Sequence, residues 1–488
     1  VIKQIKKNRV IMAILSLAFA MRLIVINQSL WLDEAISAEV VRDFSYKGII
    51  TDFVGSDNHP PLFYLDLKFW TDLFGYSEFA LRFPSVIYGV LTVFVTFLIA
   101  QRIVGKRNKS FPILASALLA TSQFHIYYSQ EARMYSLAAF LATLAIYAFL
   151  YLLKENDNYY WTLFSFAICA LVFTDYVPVF MLPVFWIYAF LKKKPKSWWK
   201  KFLVFHLPLI VLGLLWLPTF LVQVEKGRWL VATLPAWKQV AGGASFKQAA
   251  LVWMKFVLGR IGFRDKIFYY SLILIASVPF IVTLIKSFVS KQKLSLIWLW
   301  LVAPLLLGFI SSYWAPFFIY FRFLFVVPAF YLLIAWGVII FKNSRFRTLI
   351  IISILVINLT SWVIYVFDER QQREHWRQAT SFVEEKATKD EVVIFEYPQA
   401  FTPYRWYSKG SVQAVGVTDS ISSDPAKTAE KTKKIIQDKN GVYYFEYLRD
   451  LSDPERVIEQ SLKKQGFRIT DVYDLFPGVG QVFHWEKN

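Results

Sequence analysis

Apolar runs recur along most of this chain, at 10–27, 83–103, 111–128, 135–153, 161–174, 176–191, 202–222, 267–285, 294–313, 317–341 and 348–367. At about 20 residues per crossing, these predict about eleven membrane spans, with the fifth and sixth short and joined at Asp175. A soluble chain of 488 residues would carry more charge than this one, which is 56% hydrophobic, holds 18 Trp and has a mean hydropathy of +0.43. The expected fold class is therefore a multi-pass α-helical membrane protein.

The placement of charge supports this reading and orients it. The formal charge is +19, with 36 Lys and Arg against 15 Asp and Glu before residue 368, and 18 against 20 from there on. Nucleic-acid binding explains such a split poorly. Cytoplasmic loops enriched in Lys and Arg explain it well. With a cytoplasmic N-terminus, the inner segments hold Lys3, Lys6, Lys7 and Arg9, then Arg102, Lys106, Arg107 and Lys109, then Lys154. Lys192, Lys193, Lys194, Lys196, Lys200 and Lys201 follow, then Lys286, Lys291 and Lys293, then Lys342, Arg345 and Arg347. Only Glu155 and Asp157 of the acids before residue 368 fall inside, and an odd number of spans puts the C-terminal segment outside. The first apolar run ends at Asn27-Gln28 without a small-residue cleavage site, which reads as a retained span. The single cysteine, Cys169, permits no intrachain disulfide.

Two outer loops are long, about 28–82 and 223–266. The first carries near-helical apolar spacing at 35–44 and 62–74, expected for helices in the membrane interface. The second contains Gly242-Gly243 and the bases Lys255, Arg260 and Arg264. From residue 368 the pattern changes: 373–388, 427–438 and 453–465 have helical periodicity, and 391–397, 412–417, 441–447, 467–474 and 481–485 read as strands. The expected organisation is a membrane domain over 1–367 and a small extracytoplasmic α/β domain over 368–488.

Acids close to hydrocarbon are costly and mark substrate or ion paths. Asp33-Glu34 follows Trp31-Leu32 in the first outer loop. On its own the pair reads equally well as a helix start or as a catalytic centre, with one carboxylate as general base and its neighbour orienting a substrate group or metal. Asp57-Asn58-His59-Pro60-Pro61-Leu62 holds His59 in extended backbone before proline. Its plain reading is a rigid turn into the next helix. His59 with Glu34 or Asp57 is a weakly spaced candidate for a divalent cation, and no other cofactor is indicated. The turn Tyr128-Ser129-Gln130-Glu131-Ala132-Arg133-Met134-Tyr135 brings Glu131 and Arg133 to an interface. These two either pair with each other, or Arg133 holds a phosphate, which suits a guanidinium. Arg322 at the outer end of the tenth run is a second phosphate candidate, and Arg22 in the first run is expected only to snorkel to headgroups. Trp31, Tyr64 and Tyr128 offer aromatic surfaces for a sugar or an isoprenoid chain. No glycine-rich phosphate loop follows a strand.

Asp57 to Leu62 resembles the Asp-x-His-Pro-Pro-Leu stretch of protein O-mannosyltransferases, and Leu32-Asp33-Glu34 resembles the acidic pair of their first external loop. The 128–135 turn is similar to that of bacterial members of the same group, which includes the aminoarabinose transferase of lipid A. His375-Trp376-Arg377, followed by a helix and Asp390 to Ile394, looks like the opening of the soluble tail in those members. The resemblance implies a C-type membrane glycosyltransferase, glycosyltransferase family 39-like, in the plasma (inner) membrane. It would move a sugar with inversion from a polyprenyl-phosphate carrier to a lipid, glycan or protein hydroxyl on the outer face. By the same comparison Asp33 is the general base, Glu34 its partner and Arg133 a contact to lipid phosphate; Asp57, His59, Tyr64, Tyr128, Glu131, Tyr135 and Arg322 are the further substrate-binding candidates. One departure stands out: Phe63-Tyr64 replaces the Gly-Lys that follows Pro-Pro-Leu in eukaryotic members. The rival readings are a transporter or flippase of lipid-linked sugar, and a polymerase or ligase of whole oligosaccharides. Transporters tend to be built from repeated halves, whereas here the acids crowd into one outer loop.

Overall fold

The computed structural model describes residues 9–105, 108–155, 157–234, 237–290, 294–418, 420–421 and 424–487. Of the inner basic residues named above, Lys3, Lys6, Lys7, Lys106, Arg107, Lys291 and Lys293 lie outside the described residues. Each of the eleven apolar runs contains helix. Among the described residues, six helices are long and apolar enough to cross a membrane: Glu78–Val104, Tyr135–Leu152, Lys196–Thr233, Lys266–Phe288, Tyr320–Ile339 and Ser344–Phe367. Four are shorter, at Ser110–Thr121, Asn158–Thr174, Val177–Leu191 and Ser295–Ser311, and Arg9–Leu23 has 15 residues.

Local chemistry explains the shortening. Ser122 turns extended, ending Ser110–Thr121, and its hydroxyl accepts from the His125 N–H to start the short helix Gln123–Tyr128. Asp175 is extended and stops Asn158–Thr174. In the opposite sense, Lys196–Thr233 runs for 38 residues, so the stretch from residue 223 that the sequence reads as a long loop opens as continuing helix. Leu214 and Leu215 on it are 64% and 75% exposed, and large apolar side chains also face outward along Lys266–Phe288 and Ser344–Phe367. Such continuous apolar exposure suits lipid. Tyr135–Leu152 and Tyr320–Ile339 are by contrast buried inside the helical body. Gly337 permits close packing there, since a Cβ at that position would overlap the Thr283 carbonyl.

Arg22 corrects one expectation. Its side chain is fully buried, with Nη1 donating to the carbonyls of Ala18 at 2.8 Å and Ala120 at 3.2 Å, and Nη2 lying 2.7 Å from His125 Nδ1. Packed helices supply acceptors on the spot, so the guanidinium does not reach for headgroups.

The chain divides into two compact units, one of residues up to Ile26 with Phe44–Gly227 and Ala241–Phe367, the other of Asn27–Asp43, Arg228–Val240 and everything from Asp368. In the second unit a five-stranded sheet is ordered β2-β1-β3-β5-β4, with β1 (Glu391–Phe395), β2 (Gln413–Gly416), β3 (Gly441–Phe445), β4 (Phe467–Tyr473) and β5 (Val482–Lys487). β1 pairs in parallel with β2 and β3, while β5 runs antiparallel to β3 and β4. Successive side chains alternate between faces. Val393, Phe395, Tyr443 and Phe445 pack on one side with Trp376 and Val383, and Val392, Ile394, Val442 and Tyr444 on the other with Ile436, Ile458 and Leu462. Both faces are therefore covered, which accounts for the unbroken apolar runs of β1 and β3.

Candidate functional site

In the first unit, the extended stretch after the turn Val54–Ser56 leads into the helix Leu62–Phe74. The two prolines predicted to stiffen this turn stand just ahead of it, with Pro61 at the cap position. His59 Nδ1 lies 3.3 Å from both oxygens of Asp57. The Tyr64 hydroxyl donates to Asp57 Oδ2 at 2.7 Å, and Arg133 Nη1 donates to the same hydroxyl at 3.3 Å. Four of the residues singled out in the sequence thus form one connected chain. Burial pushes the Asp57 carboxyl up, but His59, Arg133 and the Tyr64 hydroxyl outweigh it and hold Asp57 below the usual carboxylate range. Burial and the Asp57 charge raise the Tyr64 phenol well above its usual value.

The loop carrying His59 is pinned by a residue that sequence reasoning passed over. Gln223 Nε2 donates to the carbonyls of Val54 at 2.8 Å and His59 at 3.1 Å, and its Oε1 accepts from the Tyr176 hydroxyl at 2.5 Å. Trp216 Nε1 donates to Tyr176 in turn at 2.8 Å, and Lys226 Nζ reaches the Gly55 carbonyl at 2.8 Å. Polar side chains inside a long apolar helix were the available signal.

Glu131 is buried, and its backbone carbonyl accepts from Ser85 at 2.6 Å. Tyr128 and Tyr135 meet edge to face at 5.6 Å, and both contact Phe321, at 6.1 Å and 5.1 Å. Next to Phe321, in the turn Tyr320–Val326, Arg322 keeps its Nε buried with no hydrogen-bond partner among the described residues. Two further cations approach the adjacent ring of Tyr320: Arg260 at 5.9 Å and Lys255 at 6.0 Å. Lys255 Nζ donates to the Ile261 carbonyl at 2.9 Å and the Tyr269 hydroxyl at 3.3 Å, and burial pushes its ammonium down to about 7. Lys255 and Arg260 were legible as bases in a loop that the charge pattern of the sequence reads as external.

Asp33 and Glu34 belong to the second unit, in the first turn of the helix Leu32–Asp43. Asp33 is the second residue of that helix rather than its cap, and is half-buried. Glu34 is fully buried and lies 4.0 Å from Arg373 Nε. Carboxylates are stabilised at this positive end of a helix. The rest of the helix is tied down within the same unit, where Arg405 pairs with Glu39 at 2.5 Å and Arg42 covers the Trp406 ring at 4.8 Å. Among the described residues no group of three or more His, Cys, Asp or Glu is arranged to hold a metal ion.

Residues 58–223 match the family described as dolichyl-phosphate-mannose-protein mannosyltransferase. That stretch takes in His59, Tyr64, Tyr128, Glu131, Arg133, Tyr135 and Gln223. An uncharacterized protein of Aquifex aeolicus (strain VF5) is 30% identical over 105 residues, 21% of this chain and 21% of its own length, so the match spans about a fifth of that curated relative. Across almost the whole chain the fold is that of ArnT from Cupriavidus metallidurans. The apo structure superposes with a TM-score of 0.58 at 11% identity, covering 98% of this chain and 97% of that one. ArnT bound to undecaprenyl phosphate gives 0.55 at the same identity, with the same shares of each chain covered. The oligosaccharyltransferase AglB of Archaeoglobus fulgidus, in complex with an inhibitory peptide and a dolichol-phosphate, gives 0.50 at 13% identity, covering 98% of this chain and 74% of that one. At these identities the likeness is one of fold.

Proposed function

We propose that this protein is an inverting glycosyltransferase that moves a sugar from a polyprenyl-phosphate carrier to a hydroxyl of an envelope lipid, glycan or protein on the outer face of the plasma membrane. In this reading Asp33 takes the proton of the acceptor hydroxyl as its oxygen bonds to the anomeric carbon. The bond from that carbon to the phosphate oxygen breaks on the opposite side, which inverts the centre and releases polyprenyl phosphate. Arg133 and Arg322 are the cations that offset the growing phosphate charge. Tyr64, Tyr128 and Tyr135 supply surfaces for the sugar and lipid, with Asp57, His59 and Glu131 ordering the loops that carry them. The N-terminus is cytoplasmic and the 368–488 domain extracytoplasmic, with about eleven crossings in all.

The observation that carries the reading is the unequal state of two neighbouring acids. Glu34 is sealed against Arg373, while Asp33 stays half-buried at the positive end of its helix. One carboxylate is fixed and the other remains reachable, as a base and its structural partner require. Support also comes from relatives of the same fold, since ArnT is known with undecaprenyl phosphate and AglB with a dolichol-phosphate.

The test is transfer of radiolabelled sugar from polyprenyl-phosphate donors to a membrane extract, comparing wild type with Asp33→Asn at equal folded amount. Turnover abolished in the variant, with donor binding retained, is the expected result. Two inert proteins that both move labelled lipid across vesicles would replace the enzyme with a flippase.

A further inference from the structure

The turn that carries Arg133 belongs to no helix: Gln123–Tyr128 ends before it and Tyr135–Leu152 begins after it. Gln130, three residues ahead of Arg133, ties this turn to distant parts of the same unit. Its side chain is buried, and Nε2 donates to the Arg22 carbonyl at 2.9 Å and to the Ile24 carbonyl at 2.5 Å. Its Oε1 accepts from the Tyr365 hydroxyl at 3.0 Å. One orientation of the amide sets its two N–H groups against the carbonyls and its oxygen against the hydroxyl; the flipped one would oppose oxygen to oxygen.

The partners are well placed to act as anchors. Arg22 and Ile24 stand where the helix Arg9–Leu23 gives way to a turn, with Val25 at φ 55. Tyr365 is buried in the last turn of Ser344–Phe367. The next residue of the turn is held as well, since the Glu131 carbonyl accepts from Ser85 Oγ, while Ser136 Oγ donates to the Ser85 carbonyl at 2.8 Å. Ser85 lies on Glu78–Val104, so three helices grip the backbone on which Arg133 stands. Buried hydrogen bonds of this kind are costly to break, because no water replaces the lost partner.

We propose that Gln130 is a positioning residue for Arg133: by fixing the turn against Arg9–Leu23 and Ser344–Phe367, it fixes where the guanidinium stands when a lipid phosphate binds. This inference rests on the reading of Arg133 as a contact to the donor phosphate.

The full-length protein in detergent tests it, with radiolabelled undecaprenyl phosphate as the probe and Kd read per folded molecule. Arg133→Ala is expected to weaken binding about tenfold or more, as loss of a charge-assisted contact does. Gln130→Ala leaves the guanidinium in place but displaced by about 1 Å, and is expected to weaken binding about 5- to 20-fold. Gln130→Glu keeps the size and turns both donors into acceptors, so it should behave like Ala, whereas a purely space-filling side chain would be replaced without loss. In an Arg133→Ala background, Gln130→Ala should weaken binding by less than about twofold, because the two act through one guanidinium. Should Gln130→Ala not fold, Tyr365→Phe removes one bond of the three and is expected to weaken binding about two- to fivefold. Wild-type affinity in Gln130→Ala, or in Tyr365→Phe where it stands in, beside a weak Arg133→Ala overturns the positioning role alone. So do losses that multiply in the double variant, and so does full affinity in Gln130→Glu. Wild-type affinity in Arg133→Ala overturns the reading of the phosphate contact itself.

Discussion

The Tyr64 hydroxyl donates to Asp57 at 2.7 Å, bridging the turn ahead of the two prolines to the first residues of the helix Leu62–Phe74. The same oxygen accepts from Arg133, so one buried phenol joins two segments far apart in the chain. Tyr64→Phe removes both bonds while leaving the ring packed. It is expected to cost about 1–2 kcal/mol of stability and to raise the donor KM several-fold with kcat nearly unchanged. Equal KM values for the two proteins would show that this bridge does not shape the donor site.

Arg133 tests whether the guanidinium matters for more than its charge. Lys keeps the charge but loses the planar fork. Arg133→Lys and Arg133→Ala should therefore raise the KM for a lipid-phosphate donor by similar factors, about tenfold or more, read from initial rates. Full rescue by Lys would reduce Arg133 to a point charge.

Gln223 should govern the order of the 54–59 loop, through its bonds to Val54 and His59. Gln223→Ala leaves those carbonyls to find other partners. Faster hydrogen exchange confined to that loop is expected, with a loss of about 1–3 kcal/mol in stability. Unchanged exchange would mean that the prolines alone hold the loop.

Burial, reinforced by the Asp33 charge, pushes the Glu374 carboxyl up from an ordinary 4.5 to about 7, against the pull of the Trp376 N–H and the Tyr447 hydroxyl. Between those two values the folded chain keeps a proton that the unfolded chain has released. Stability must then fall as pH rises through that window. Thermal midpoints in detergent should decline from about pH 5 to about pH 7.5, and Glu374→Gln should flatten the decline. A variant with the wild-type slope would assign the pH dependence to other groups.

Gly337 packs against the backbone of Thr283, between Val327–Ile339 and Lys266–Phe288. Gly337→Ala forces the two helices apart and should lower stability by about 1–3 kcal/mol. Gly213, which meets nothing within 4 Å, is the control: Gly213→Ala should be neutral or mildly stabilising. Equal melting of the two variants would contradict the close contact.

The legible part of the site was the part written in adjacent residues. Asp57, His59 and Tyr64 sit within eight positions of each other, and their contact follows from a proline-stiffened turn entering a helix. Arg133 could be suspected as a charge in a short turn between apolar runs, but its partner could not. Gln223 escaped because its acceptors are backbone carbonyls, which every sequence has. Arg22 was misjudged because its fate depended on whether neighbouring helices offered carbonyls nearer than the headgroups.

By itself the sequence determined that the chain is largely apolar helix with an α/β segment after residue 368, because apolar runs and period-two strands are local patterns set by burial. It also marked where the acids and cations fall along the chain. The tertiary structure alone decided which of these meet. The helix Leu32–Asp43, contiguous with the first apolar run, folds instead with residues some 340 positions later, through the ties of Arg373, Arg377 and Tyr407 to it and to the residues just before it. Hydrogen bonds and ion pairs are satisfied by proximity in space, and nothing in sequence order dictates that proximity.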